Sequence, residues 1–297
     1  MIETPALPKA QRAAPLLIFV HLPKTAGTTV AFVLGRQYGN KKTLNLYHWR
    51  FKRIRAYLRR SSQEKSSIQL VRGHIGYGIH RKLKETDFKY FTILRNPIDR
   101  VVSHYFFHKN NPNYELSTKI QTEGINLEAY ITKTQLKDLD NYQTRLLAGE
   151  KVGLEPEFGA CQRNLLNTAK RRLQKDFAVV GTTERFDETL LVLQRVFKWN
   201  IPVYISANVT KNRPRGEEIT PSIRQAIMEY SKFDIELHQY ADERLDQLIA
   251  EHFKFFKFHL FIFKTINKFY NYIYRLSLFS PGRLKRKLDA TLFVDSK

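Results

Sequence analysis

The 297-residue sequence predicts an α/β protein, a mostly parallel central sheet flanked by helices with a basic, aromatic helical appendage at its C-terminal end. Three observations lead there. Short continuous apolar runs bounded by turn residues recur along the chain, the pattern of strands buried on both faces. Amphipathic helical stretches alternate with them, which is how a chain lays strands side by side in parallel. Residues 252–297 then change composition, with ten Lys or Arg against two acids.

In chain order, residues 1–14 form a polar lead-in with Pro and Ala, and residues 16–20 (LLIFV) form the first buried strand. This strand runs into a loop over 21–29, and a helix follows from Val30. Further strands are expected at 68–71, 90–94 and 177–180, the last closing at Gly181. Helices are expected at about 97–107, 138–148, 162–174, 185–197 and 219–250. This places one domain over 15–251 and the appendage over 252–297. Within the appendage, lysines are interleaved with aromatics from Phe253 to Phe279. Such a helix either packs on the core with its basic side in water or lies in a membrane interface, where Arg283 to Lys287 would add attraction to anionic lipid.

Fifty Lys and Arg against 28 Asp and Glu give a net charge of +22, which draws polyanions: nucleic acid, acidic lipid, nucleotide phosphates or acidic saccharides. Cys161 is the only cysteine, which leaves no intrachain disulfide or cysteine-based metal cluster and fits a reducing compartment. Residues 1–15 carry no apolar stretch of the kind that opens a secretory signal, and no run of about 18 uninterrupted apolar residues occurs. The expected location is the cytoplasm, at a membrane surface if the appendage binds lipid.

The loop after the first strand reads His21-Leu22-Pro23-Lys24-Thr25-Ala26-Gly27-Thr28-Thr29. A loop from a buried strand into a helix offers backbone N–H groups at the positive end of the helix dipole. Gly27 lets backbone approach an anion, Lys24 brings a mobile charge, and Thr25, Thr28 and Thr29 bring hydroxyl donors. The lysine precedes the glycine, so the order is not that of a nucleoside-triphosphate phosphate loop, and a phosphotransferase reading is disfavoured. A second cluster follows the strand at 90–94: Arg95-Asn96-Pro97-Ile98-Asp99-Arg100-Val101-Val102-Ser103-His104-Tyr105. Pro97 suits a first helical turn, and an arginine fork with a hydroxyl makes a clamp for a terminal phosphate. Arg95 and Ser103 meet only if the helix folds back past the strand end. The plainer alternative has Arg95 and Arg100 in surface salt bridges.

Together these two motifs resemble those of the carbohydrate sulfotransferases, in particular the heparan sulfate 2-O- and 6-O-sulfotransferase branch. The resemblance covers roughly residues 16–245. It implies a sulfotransferase fold related to the P-loop proteins and the donor 3'-phosphoadenosine 5'-phosphosulfate (PAPS), with no metal. The first loop, Lys24 to Thr29, would cradle the 5'-phosphosulfate with Lys24 at the transferring group, and Arg95 and Ser103 would hold the 3'-phosphate. Residues 208–214 (NVTKNRP) resemble the late loop that closes over the nucleotide, which brings in Arg213, and residues 141–147 (NYQTRLL) resemble a helix near the acceptor cleft. Plain surface structure is the alternative for both.

Sulfonate transfer to a hydroxyl needs a base. His74, in Arg72-Gly73-His74-Ile75-Gly76-Tyr77-Gly78 after the second strand, sits where α/β sheets bind ligands, with glycines that would let a substrate come close. The branch resembled places a Gly-His there as base, although it often has another histidine where this chain has Arg72. The alternative is a structural histidine. His21 and His104 read as packing groups around the site. Between Lys41 and Arg60, eight basic residues and no acid are mixed with Tyr47, Trp49, Phe51 and Tyr57. This is either a solvated helix or a face for an anionic saccharide. The expected acceptor is a saccharide or glycolipid hydroxyl, and nucleic acid is not the expected partner. The contrasting class is a non-enzymatic polyanion-binding or membrane-peripheral protein built on a nucleotide fold.

Overall fold

The computed structural model describes residues 14–48, 50–149, 153–205 and 219–278. Five strands, β1 (Leu16–Val20), β2 (Thr43–Asn45), β3 (Leu70–Gly73), β4 (Phe88–Leu94) and β5 (Phe177–Thr182), form one parallel sheet in the order β2-β3-β1-β4-β5. Helices α1 (Gly27–Tyr38), α2 (Arg50–Leu58), α3 (Ser62–Ser67) and α4 (Ile79–Leu83) belong to the first half. After β4 come α5 (Pro97–Lys109), α6 (Glu115–Thr122), α7 (Leu127–Lys133), α8 (Tyr142–Leu147) and α9 (Arg163–Asp176). After β5 come α10 (Phe186–Phe197), α11 (Pro221–Tyr230), α12 (Lys232–His252) and α13 (Phe256–Leu278).

Both faces of the sheet are covered, as continuous apolar strands require. Leu16, Ile18 and Val20 of β1 join one core cluster with Leu146, Leu166 and Leu237, whereas Leu17 and Phe19 join another with Val30, Leu190, Leu245 and Phe263. A third cluster, beside the sheet, holds α5, α6, α7 and α11 together through Val101, Tyr105, Ile120, Tyr130 and Ile227. Because β3 and β4 lie on opposite sides of β1, the loops leaving the C-terminal ends of these three strands diverge and open a crevice there. The phosphate loop, His74 and Arg95 all leave the sheet at this crevice.

The four expected strands are present, and β2 is an addition. It is a three-residue edge strand with only Leu44 buried, inside the basic run, and so gave no apolar signature. The helix expected over 219–250 is two helices, broken at Ser231. Asn141 explains the break, since its Oδ1 accepts from the N–H groups of Phe233 (2.7 Å) and Asp234 (3.2 Å), and its own N–H donates to the Tyr230 carbonyl. Helix α8 is capped in return, the Asp234 carboxylate accepting from the N–H groups of Gln143 and Thr144 at 3.1 and 2.7 Å. These N–H groups are orphans of helix starts, and each is satisfied by the other segment.

Candidate active site

Lys24 and Ala26 both adopt left-handed backbone conformations, with φ of 71° and 60°. For non-glycine residues this costs about 1–2 kcal/mol each, and such strain persists only where the surroundings enforce it. The Thr25 hydroxyl, buried, donates to the Leu22 carbonyl at 2.7 Å and closes the loop on itself. Ala26 occupies the N-cap of α1 and supplies no side-chain cap, and the first turn has no acid. Helix α5 begins differently, with Asn96 Oδ1 accepting from the Ile98 and Asp99 N–H groups. The positive end of α1 thus carries neither a side-chain cap from Ala26 nor an acid in its first turn, the chemistry of an anion-binding helix start. Gly27 is needed for a reason not visible in the sequence: a Cβ there would fall 1.7 Å from His21 Nε2.

The second motif meets the first at Lys24. Arg95 Nη1 donates to the Lys24 carbonyl at 3.1 Å, and the Lys24 ammonium sits 4.0 Å from the ring centre of Phe107. Phe107 lies one turn beyond Ser103 on α5, on the same helix face, so this face and the end of β4 both adjoin the phosphate loop. Burial, with the Arg95 guanidinium nearby, lowers the Lys24 pKa from its ordinary 10.5 to about 8. Gln143 holds Arg95 from behind, its Oε1 accepting from the Arg95 N–H at 3.0 Å and its Nε2 donating to the Arg95 carbonyl at 2.9 Å.

His74 Nδ1 lies 3.1 Å from the His21 carbonyl. A carbonyl only accepts, so Nδ1 carries the proton and Nε2 of the neutral ring is left with its lone pair. One side of the His74 ring stacks on His21, with centroids 4.4 Å apart, and the Tyr47 ring stands edge-on at 4.9 Å, while the residue stays exposed to solvent. The enclosure lowers its pKa, against the bond to the His21 carbonyl, so the ring is neutral near pH 7. His21 is buried and its pKa is held well down, first by burial and then by His74 and Arg72. Its Nδ1 is 2.7 Å from the Tyr47 hydroxyl, and its Nε2, against Gly27, has no partner among the described residues.

Several neighbours are structural. Arg145 is fully buried and donates to the Asp140, Gly153, Pro156 and Glu157 carbonyls and to the Asp140 carboxylate. Arg100 is also fully buried, with Nη2 on the Asp138 carbonyl, which removes the surface salt-bridge alternative for it. His104 is buried with Nδ1 2.6 Å from the Tyr130 hydroxyl. Arg72 is buried on β3 with Nη1 donating to the Ala31 carbonyl of α1, so it turns toward α1.

A model described as "Sulfotransferase family" matches residues 14–241, most of the chain and all of the elements that build this crevice. The chain belongs to the sulfotransferase family. It is similar to galactose-3-O-sulfotransferase 2 of Homo sapiens, 22% identical over 84% of this chain and 66% of that protein. It is also similar to galactose-3-O-sulfotransferase 2 of Sus scrofa, 22% identical over 75% of this chain and 59% of that protein. A third relative is a heparan sulfate 2-O-sulfotransferase of Caenorhabditis elegans, 21% identical over 65% of this chain and 64% of that protein. In each case the chain spans less than two thirds of the relative's length.

In this sulfotransferase-family chain, Lys24, Thr25, Ala26, Gly27, Thr28, Thr29, His74 and Arg95 gather at one sheet edge, with Ser103 half-buried on the neighbouring helix face. Arg213 and the 208–214 segment lie outside the described residues, as does Trp49. Residues 141–147 are not surface structure: Asn141, Gln143, Thr144 and Arg145 are all buried. The glycines around His74 have another use as well. A Cβ on Gly73 would meet the Leu46 backbone at 2.8 Å, so this glycine admits the chain itself, and Gly78, at φ +101°, caps α4. Sequence reasoning set Tyr47 in a candidate saccharide face and Gln143 in a segment near the acceptor cleft, without the contacts of Tyr47 with His74 and of Gln143 with Arg95, and it missed Phe107. Only the spacing of Phe107 from Ser103, one helical turn, carried a signal.

Proposed function

We propose that this chain transfers a sulfonate group from PAPS to a hydroxyl of a saccharide, with His74 as general base. The observation that carries the reading is that both anion motifs meet at one residue, Lys24, held by Arg95 from one side and seated on Phe107 from the other. Three features suit a doubly phosphorylated nucleotide: the uncapped start of α1, the partly desolvated lysine, and the unpartnered, buried His21 Nε2 beside Gly27. Lys24 and the loop N–H groups would take the 5' end, and Arg95 with Ser103 the 3'-phosphate. The names of the relatives, which act on galactose or heparan sulfate, support a saccharide acceptor.

The donor supplies an activated sulfonate, whose bond to the phosphate oxygen breaks as the acceptor oxygen bonds to sulfur. His74 Nε2 accepts the hydroxyl proton, while Nδ1 stays on the His21 carbonyl and fixes the ring. Lys24 and the N–H groups of the loop stabilise the charge left on the phosphate, a preorganised effect worth about 3–4 kcal/mol per donor. Partial desolvation raises the energy of the unpaired ammonium and so strengthens its attraction to an anion.

Thermal shift with adenosine 3',5'-bisphosphate, AMP and ATP tests the donor site. Stabilisation by the bisphosphate well beyond the other two is expected, and equal shifts from all three would end the proposal. Transfer of labelled sulfonate to a panel of galactosides and glycosaminoglycans then tests the acceptor class.

A further inference from the structure

Among the described residues twelve large apolar side chains stand exposed, and eight of them (Phe255, Phe258, Phe261, Ile262, Phe269, Tyr272, Ile273 and Leu276) lie on or at the start of α13. The helix is not a loose tail. Its inner face, Phe256, Leu260 and Phe263, packs on the core cluster that holds α1 and α10, with Phe263 only 2% exposed. Asn267 Oδ1 accepts from the Tyr204 N–H at 2.8 Å, and Asn271 Nδ2 donates to the Tyr204 carbonyl at 2.8 Å. The outer apolar residues recur three, four or seven apart and form one strip, which the packed inner face holds rigidly outward.

The cations have a pattern of their own. Lys257, Lys264, Lys268 and Arg275 recur one or two turns apart and so fall on one line along an edge of the apolar strip. No acid occurs between Phe253 and Leu278. A helix apolar around most of its circumference is ordinarily covered all round, and an exposed strip of this size marks a docking surface. A second copy of the chain would bring a second row of cations to the same place. An anionic lipid surface suits both features, since aromatics settle at the acyl boundary and lysines extend along the edge to the headgroups. No helix among the described residues is long and apolar enough to cross a membrane, so the fit is to lying on it.

We propose that α13 docks this protein flat on an anionic membrane surface, its Phe258–Ile262–Phe269–Tyr272 strip in the interface and its Lys257–Lys264–Lys268–Arg275 line on the headgroups. The inference does not depend on the donor or acceptor reading. Flotation of the full chain with vesicles of phosphatidylcholine, with and without phosphatidylserine, tests it. Strong binding to the phosphatidylserine vesicles and weak binding to the neutral ones is expected. Changing Phe258, Ile262, Phe269 and Tyr272 to Ser should lower that binding by about tenfold or more with melting temperature unchanged. Changing the four cations to Gln, which leaves the apolar strip in place should the serine variant misfold, should abolish the preference for phosphatidylserine. Three results would overturn the proposal: wild type staying free of both vesicles, binding that survives the serine set or a phosphatidylserine preference that survives the glutamine set in a folded variant, or a concentration-dependent dimer in sedimentation velocity that the serine set dissolves.

Discussion

Two parts of this molecule are rich in positive charge, and they arrange it in opposite ways. At the phosphate loop a single lysine is fixed. Lys24 is held in a strained backbone conformation, seated over Phe107 and partly desolvated, so that its pKa falls to about 8. Along α13 the cations repeat, each exposed and at the end of a flexible chain. The first arrangement suits one anion at one place. The second suits a charged plane anywhere along its length. The net charge of +22 does not distinguish them, whereas desolvation and backbone constraint do.

The comparison can be tested from its strongest element down. His74→Ala should lower turnover by about a hundredfold to ten-thousandfold while the bisphosphate-induced thermal shift stays near wild type. Loss of that shift instead would make His74 a structural residue. Gly27→Ala drives a methyl group into the His21 ring, and together with Lys24→Ala it should remove most of the bisphosphate-induced shift, each by about tenfold or more in affinity. The same two alanines should leave vesicle binding unchanged.

The pH profile sharpens the contrast further. His74 must be neutral to accept a proton, and its lowered pKa means kcat/KM rises through a limb below pH 6.5 and is level near neutrality. Lys24 must be charged, so kcat/KM of the free enzyme should fall above about pH 8. Lys24→Arg should push this upper limb out of range, and a limb that stays would assign it to another group. A smaller effect is expected at Gln143→Leu, which strips both hydrogen bonds from the Arg95 backbone. Chemical denaturation should show a loss of about 1–3 kcal/mol, with weaker bisphosphate binding. Least of all, the serine set on the outer face of α13 should change turnover on a soluble acceptor by less than about twofold, since those side chains are exposed. Phe263→Ala, on the inner face of the same helix, should destabilise by about 3–5 kcal/mol.

Much of this was legible in the residues. Strands such as Leu16–Val20 announce themselves because burial on both faces demands an unbroken apolar run. The loop from Lys24 to Thr29 and the Arg95 cluster are local sequences, with spacings dictated by a strand end and a helix start. Other features left no local trace. Strand β2 has one buried residue and is a strand only because β3 offers it a partner. The break at Ser231 is set by Asn141, some ninety residues away, and the same exchange buries Asp234 and raises its pKa by desolvation.

Alone, then, the sequence determined the alternation of strand and helix, the two anion motifs in their order, and an aromatic, basic end to the chain, because each is written in neighbouring residues. Only the tertiary structure decided that Arg95 reaches Lys24, that Gly27 exists to admit the His21 ring, that the His21 carbonyl selects the tautomer of His74, and which face of α13 is left outside. The physical reason is the same in each case. Hydrogen bonds, desolvation and close approach act between residues that the fold brings together across long stretches of chain, and no local pattern encodes them.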